Sequence, residues 1–458
     1  MVNFSFADIL VIGLYFILLV LIGFYATKKS KNDKSDFLLA GRSLTLPLFV
    51  MTTVATWYGG ILGVGEFVYR FGINAWILQG LPYYIFAFLF AIFFSKKIRQ
   101  TELFTIPERI EIVYGRKISI LVSIFIFIIV SPAPYALMVG TILNYFLGIP
   151  LFYGIFGGMI ISSIYLYTAG YRSDIYTDVF QFFLMFIGFS LLLFFSFRNL
   201  GDFNFLIKNL DPEYLKPFSN LSTDYIIVWF LIGLWTFVDP GFHQRSYAAK
   251  NEKVAVYGIF VSIFFWILFD FLTTTTGLYA KARLPYLENP VYSFLIFADT
   301  ILPSFIKGLF FIGIFATIIS TLNSFTFISA QTIGNDIFKK IIKKSSSEVQ
   351  LVKLGLIITI IFSTIIAVVI PSVIELWYTI GSLFMPGILL PIIASYYEQF
   401  RLGEKRTIFQ VVLVTVVTIV FYTLKLLDIG WVDMEPMIAG IITGVIFQLI
   451  NFLIKEEV

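Results

Sequence analysis

Cysteine is absent from this chain, and histidine occurs once, at His243. The first absence excludes disulfides, thiolate metal sites and thiol nucleophiles, and the second leaves no material for a histidine-rich metal centre or a Ser-His-Asp triad. Charge is scarce as well: Asp, Glu, Lys and Arg make up 13% of the residues, where a soluble domain carries about 25%. No span or loop pairs a nucleophile with a base, so an enzyme is not expected. Long polar stretches are also missing. The longest loops, about 199–222 and 281–305, are too short for a soluble domain. The net charge of +4 is small and comes from loop lysines and arginines, which speaks to membrane topology and not to nucleic acid.

What is present is apolar. Hydrophobic residues reach 59%, with 54 Phe and 25 Tyr, a surplus suited to lipid-facing and interfacial surfaces. Runs of about 20 apolar residues predict thirteen membrane spans, at 7–27, 45–71, 74–95, 117–147, 150–169, 175–198, 223–242, 253–280, 306–334, 352–371, 374–397, 407–425 and 436–454. The first run, Ile9 to Tyr25, follows no basic segment and shows no cleavage site, so it is expected to be retained. Ser131-Pro-Ala-Pro134 predicts a kink in the fourth span. Val291 to Ala298 predicts a short helix over the outer face. Basic residues cluster after odd-numbered spans, as in Lys28, Lys29 and Arg42, then Lys96, Lys97 and Arg99, then Lys339 and Lys340. The positive-inside rule puts the N-terminus outside and the C-terminus in the cytoplasm of a multi-pass cell-membrane protein. A functional monomer in the lipid bilayer is expected.

Met51-Thr-Thr-Val-Ala-Thr-Trp-Tyr-Gly-Gly-Ile-Leu-Gly-Val-Gly65 departs from the apolar pattern of its span. Glycine in a helix interior costs about 1 kcal/mol against alanine. Gly59, Gly60, Gly63 and Gly65, beside three threonines, therefore predict a place where the helix opens. Carbonyls freed there must meet protein or water. Either Ala55 to Tyr58 form half of an ion site, as broken helices do in many secondary transporters, or the small residues allow close helix packing.

The ninth span holds a matching feature. Thr317, Ser320, Thr321 and Ser324 recur at i, i+3, i+4 and i+7, one face of a helix. Their hydroxyls, with carbonyls of a broken helix, could supply neutral oxygens to sodium, a hard cation, without burying a charge. The alternative is interhelical hydrogen bonding.

Several segments, in order, resemble the sodium:solute symporter family, which includes the proline, pantothenate, sialic-acid and sodium–glucose symporters. They are Ala40-Gly-Arg-Ser-Leu44 before the glycine-rich stretch, Leu103-Phe-Thr-Ile-Pro-Glu-Arg109 with Tyr114-Gly-Arg116, Tyr176-Thr-Asp-Val-Phe-Gln181, Asp239-Pro-Gly-Phe-His-Gln-Arg-Ser-Tyr-Ala-Ala-Lys250, Ser320-Thr321 and Met385-Pro386. The resemblance covers roughly residues 35–400. It implies a single all-α transporter domain of the leucine-transporter type. A five-plus-five inverted repeat would span about 45–397, with one helix before it (7–27) and two after it (407–454). It implies Na+ as the coupling ion, held by carbonyls of Ala55, Tyr58 and Thr317 and hydroxyls of Ser320 and Thr321. A second sodium would use Asp178 with Ser320, Asn323 and Ser324. There Asn323 stands where relatives have serine, and a helix N-terminus favours an acid such as Asp178 in any case.

Charged and aromatic residues inside the spans complete the candidates. Trp57, Gln79, Trp235, Asp239 and Tyr378 are candidates for the solute cavity or its gate, with Trp235 equally suited to plain packing. Glu66 either meets solute or pairs with Arg70 at i+4. Asp270, mid-span, is a functional candidate with no evident partner. His243 is expected at the interface, with a proton relay as the alternative. The expected activity is sodium-coupled import by alternating access of a small organic solute: a sugar, amino acid, carboxylate or vitamin. The alternatives are a proton-coupled or facilitative carrier on the same fold, with Asp178 or Asp270 titrating, and a channel or membrane sensor that lost coupling.

Overall fold

The computed structural model describes residues 4–29, 33–219, 221–341, 347–427 and 434–456. Both chain ends, whose sides the basic loops predict, lie outside the described residues. Among these residues the chain is helical, with one isolated bridge between Leu44 and Ala249. Thirteen helices are long and apolar enough to cross a membrane. They are α1 (Phe6–Thr27), α2 (Leu46–Phe71), α3 (Trp76–Gln100), α4 (Arg116–Leu147), α5 (Leu151–Ala169), α6 (Tyr171–Leu200), α7 (Tyr225–Ala248), α8 (Glu252–Arg283), α9 (Ile306–Ile341), α10 (Glu348–Val369), α11 (Glu375–Ser395), α12 (Glu404–Leu426) and α13 (Pro436–Leu453). Each expected span has its helix. The expected short helix between α8 and α9 is also present, at Pro290–Ile301.

The bundle is organised around α9. The apolar stretch of α9 is wholly buried, whereas α1, α12 and α13 leave most of theirs unburied. A helix buried on all sides can carry a polar stripe, because every stripe residue finds protein. Its closest partner is α6. Gly188 and Gly313 let these two helices touch, since a Cβ on Gly188 would stand 3.3 Å from the Gly313 Cα.

Three spans are interrupted. Helix α4 stops at Ile129 and restarts at Ala133, where Pro132 and Pro134 break the hydrogen-bond ladder. Helix α2 tightens into a turn at Tyr58–Gly60, and α7 breaks at Val238–Asp239. At the α7 break Pro240 supplies a first-turn residue with no N–H to satisfy. The Asp239 carboxylate accepts from the N–H groups of Gly241 (2.6 Å) and Phe242 (3.2 Å). Helices α2 and α7 lie five spans apart, as corresponding members of a five-helix repeat would.

Candidate ion and solute site

The turn in α2 exists because two neighbours crowd it. A Cβ on Gly59 would lie 2.3 Å from Thr321 of α9, and one on Gly60 would lie 2.2 Å from the Trp377 ring of α11. Only glycine lets the backbone come so close. The closeness joins the two halves of the expected ion site. The Thr321 hydroxyl donates to the Thr56 carbonyl at 2.6 Å. The Thr56 hydroxyl lies 3.5 Å from that of Ser320 and 3.2 Å from that of Ser324. Ala55, Tyr58, Thr317, Ser320 and Thr321 are all buried. The Thr317 hydroxyl is spent on the Gly313 carbonyl in its own helix (2.7 Å), and its carbonyl accepts from the Thr321 hydroxyl at 3.4 Å. The donor set facing α2 is thus hydroxyl and carbonyl oxygen, which fits a hard monovalent cation.

Behind this set stands a charged layer from α6 and α7. Asp178, fully buried, accepts from Ser320 at 2.5 Å and Thr56 at 3.4 Å, and it also accepts from Thr52. Asp174, one turn earlier, accepts from Ser324 at 2.5 Å. Arg245, from the second half of α7, answers both acids. Its guanidinium donates to Thr56 (2.5 Å), Thr52 (3.1 Å) and Ser324 (3.1 Å) and lies 3.7 Å from Asp178. Sequence reasoning did not single out Asp174, Arg245, Thr52 or Thr56. The signal was present: three charged groups inside or beside apolar spans require mutual compensation.

The second expected ion set assembles only in part. Asp178 and Ser320 meet, but Ser324 turns to Asp174, and the Asn323 amide donates to the Tyr165 hydroxyl at 2.5 Å. Consecutive helix residues point about 100° apart, so Asn323 faces α5 while Ser324 faces α6 and α7.

Next to the ion set opens a cavity of about 520 Å³. It runs from Tyr225, Lys425 and Glu435, at the bundle end opposite the basic loops, down to Thr56 and Arg245. Trp57, Gln79, Trp235, Asp239 and Tyr378 line it, as does Asp270. Glu66 does not. Its carboxylate is held by Arg70 at 2.7 Å, the helix pair that the i+4 spacing allows. His243 is buried against Phe90, with its Nε2 3.0 Å from the Phe237 carbonyl. The opposite end of the bundle is packed shut. There Tyr247 and Tyr396 hydroxyls meet at 3.1 Å and Arg109 donates to the Ser395 carbonyl at 2.5 Å.

An interrupted helix, hydroxyl and carbonyl oxygens across from it and a solute-sized cavity beside them are the features of a secondary transporter. The sequence profile of the sodium:solute symporter family matches residues 37–399, and the chain belongs to that family. It is 25% identical over 409 residues to a sodium/glucose cotransporter of Vibrio parahaemolyticus, covering 77% of this chain and 72% of that one. It is 24% identical over 473 aligned positions to the osmoregulated proline transporter OpuE of Bacillus subtilis, covering 96% and 94%. Among solved structures, a Na+-coupled sialic acid symporter in a substrate-bound outward-open state superposes with a TM-score of 0.83 at 17% identity, covering 99% of this chain and 98% of that one. That likeness establishes the leucine-transporter-type fold.

Proposed function

We propose that this protein is a sodium-coupled symporter that imports a small organic solute across the cell membrane, with its N-terminus outside and its C-terminus in the cytoplasm. The core of the cycle is α2–α11, residues 45–397, with α1 and α12–α13 as flanking helices and no enzymatic step. One sodium sits between the α2 turn and α9, on carbonyls of Ala55, Tyr58 and Thr317 and hydroxyls of Ser320 and Thr321. The observation that carries this is the join itself, Thr321 to the Thr56 carbonyl at 2.6 Å with Ser320 beside it. Sodium strengthens that join, steadies the form open at the outer end and completes the wall of the cavity. Solute then closes the outer side, with Trp235 and Tyr378 as gate residues, and opening at the Tyr247–Tyr396 end releases both. Each sodium moving inward supplies about 2.3 kcal/mol per 100 mV of membrane potential.

The test needs no knowledge of the solute. An ion that binds only the native state raises its melting temperature. Purified protein should melt higher in 150 mM NaCl than in 150 mM KCl, and Ser320→Ala with Thr321→Ala should require at least about tenfold more sodium for the same rise. A double variant that responds to sodium as the parent does would overturn the site.

A further inference from the structure

The carboxylates of the cavity and the ion layer differ in what balances them. Asp239 is held by a helix N-terminus, where both N–H bonds and the helix dipole favour negative charge. Glu435 is paired with Lys425 at 2.5 Å. Asp174 and Asp178 have Arg245. Asp270 has no such answer. It is buried in α8 on the cavity wall, and among the described residues no basic side chain pairs with it. What holds it is a set of hydroxyls: Tyr84 donates to its Oδ2, the Trp76 indole donates to Tyr84 at 3.1 Å, and the Tyr58 hydroxyl stands within hydrogen-bonding reach of the carboxylate. Gly80 keeps the space, since a Cβ there would lie 2.8 Å from the Asp270 Oδ2 and 2.9 Å from both Trp76 and the Tyr84 hydroxyl. The geometry offers this carboxylate hydroxyl donors but no cation, so whenever it carries its charge in the membrane interior the counter-charge has to come from outside the protein.

The surrounding wall says what kind of partner. The chain has seven tryptophans. Trp57, Trp76, Trp229, Trp235 and Trp377 line this one cavity, and Trp266 packs directly behind Trp57 with ring centres 5.1 Å apart. Tryptophan faces are the best aromatic partners of cations. Arg245, the one arginine on the wall, is engaged by Thr52, Thr56 and Ser324, so no free guanidinium awaits a solute carboxylate.

We propose that the solute is a small organic monocation, an alkylammonium or quaternary ammonium compound, whose charge is met by Asp270 and whose body lies among the tryptophans. This rests on reading the cavity as the solute site. Tyr58 then ties solute to ion: its carbonyl belongs to the α2 turn, and its hydroxyl donates to the Trp266 carbonyl at 2.8 Å, one turn before Asp270.

Purified full-length protein would be titrated in 150 mM NaCl with tetramethylammonium, choline and ethylammonium, and separately with 3,3-dimethylbutan-1-ol (the neutral counterpart of choline), glycine betaine, proline and glucose. Melting temperature and equilibrium binding are the readouts. At least one of the three cations should bind, at least about tenfold more tightly than the neutral alcohol. Asp270→Asn should cut that affinity by roughly 10- to 100-fold while the sodium-induced rise in melting temperature persists. Should Asp270→Asn fail to fold, Tyr84→Phe, which keeps the carboxylate and removes one donor, should weaken the cation by roughly threefold to tenfold and leave the neutral alcohol unchanged. Binding of betaine, proline or glucose with no response to the cations overturns the proposal, as does an Asp270→Asn protein that binds a cation as the parent does. Failure of all seven probes to bind also overturns it. The sodium response, measured without any solute, reports separately on the coupling site.

Discussion

The two walls of the cavity handle buried charge in opposite ways. On the α6–α9 side, Asp174 and Asp178 are matched by Arg245 and by the hydroxyls of Thr52, Thr56, Ser320 and Ser324. On the α3–α8 side, Asp270 meets the Tyr84 hydroxyl, with the Trp76 indole behind it, and the Tyr58 hydroxyl, and among the described residues no basic side chain. The first wall carries a counter-charge of its own, although Asp174 Oδ1 and Arg245 Nε are buried there without a hydrogen bond; among the described residues the second wall has no counter-charge. A layer in which two acids share one guanidinium and several hydroxyls can be a scaffold for an ion held by neutral oxygens. A charge left unbalanced at the edge of a cavity is an invitation to whatever the cavity receives.

The largest expected effect comes from unbalancing the finished wall. Arg245→Met leaves two carboxylates buried without a counter-charge and should cost about 3–5 kcal/mol of stability, read as a fall in melting temperature and in the yield of monodisperse protein. Arg245→Lys should recover little, because one ammonium cannot reach the three hydroxyls that the planar guanidinium spans. If any Arg245→Met protein is recovered, its stability should depend more steeply on sodium than the parent's, since a cation then replaces the missing one.

The opposite wall should answer with the opposite sign. Asp270→Asn replaces a buried carboxylate that no basic side chain pairs with among the described residues, so in sodium and without solute its melting temperature should be no lower than the parent's. A fall comparable with that of Arg245→Met would mean that Asp270 is part of the scaffold and that the contrast between the walls is false.

The join between α2 and α9 offers a smaller test. Gly59→Ala forces a methyl to within 2.3 Å of Thr321 and should cost about 1–3 kcal/mol by overpacking, together with a weaker sodium response. Gly157→Ala is the control in α5, where a Cβ would meet nothing within 4 Å. It should be neutral or slightly stabilising, because alanine is the better helix former. Equal effects at the two glycines would remove the steric account of the α2 turn.

How much of this the sequence carries depends on the range of the interaction. The thirteen spans were legible, because twenty apolar residues in a row have few other uses. So were the breaks at Gly59–Gly60 and Pro132, where the chemistry of the break lies in the broken segment itself. The Ser320–Thr321 face was legible from helical spacing. Arg245 was not, since its role depends on two acids some seventy residues earlier, and nothing local marks a guanidinium as buried. The burial of His243 was not legible for the same reason: position in a span does not say which face meets Phe90. For Glu66 the spacing to Arg70 was visible, but only the packed structure decides between pair and cavity. Asp270 was noticed as an acid in a span, yet its partner Tyr84 lies on another helix far away in sequence.

Asn323 gives the smallest and most discriminating prediction. It lies between Ser320 and Ser324 in the sequence of α9, where the family resemblance implies an ion ligand, but its amide donates to Tyr165 of α5 at 2.5 Å. Asn323→Ala should therefore lose about 1 kcal/mol, the usual net value of one hydrogen bond with some cost for the orphaned Tyr165 hydroxyl. It should leave the midpoint and steepness of the sodium titration unchanged. Tyr165→Phe should cause a similar loss, and the double variant should lose less than the sum, since the two side chains share one interaction. A lowered steepness in Asn323→Ala alone would instead show that the amide turns inward when sodium is present, and α9 would then hold a second ion next to Asp178.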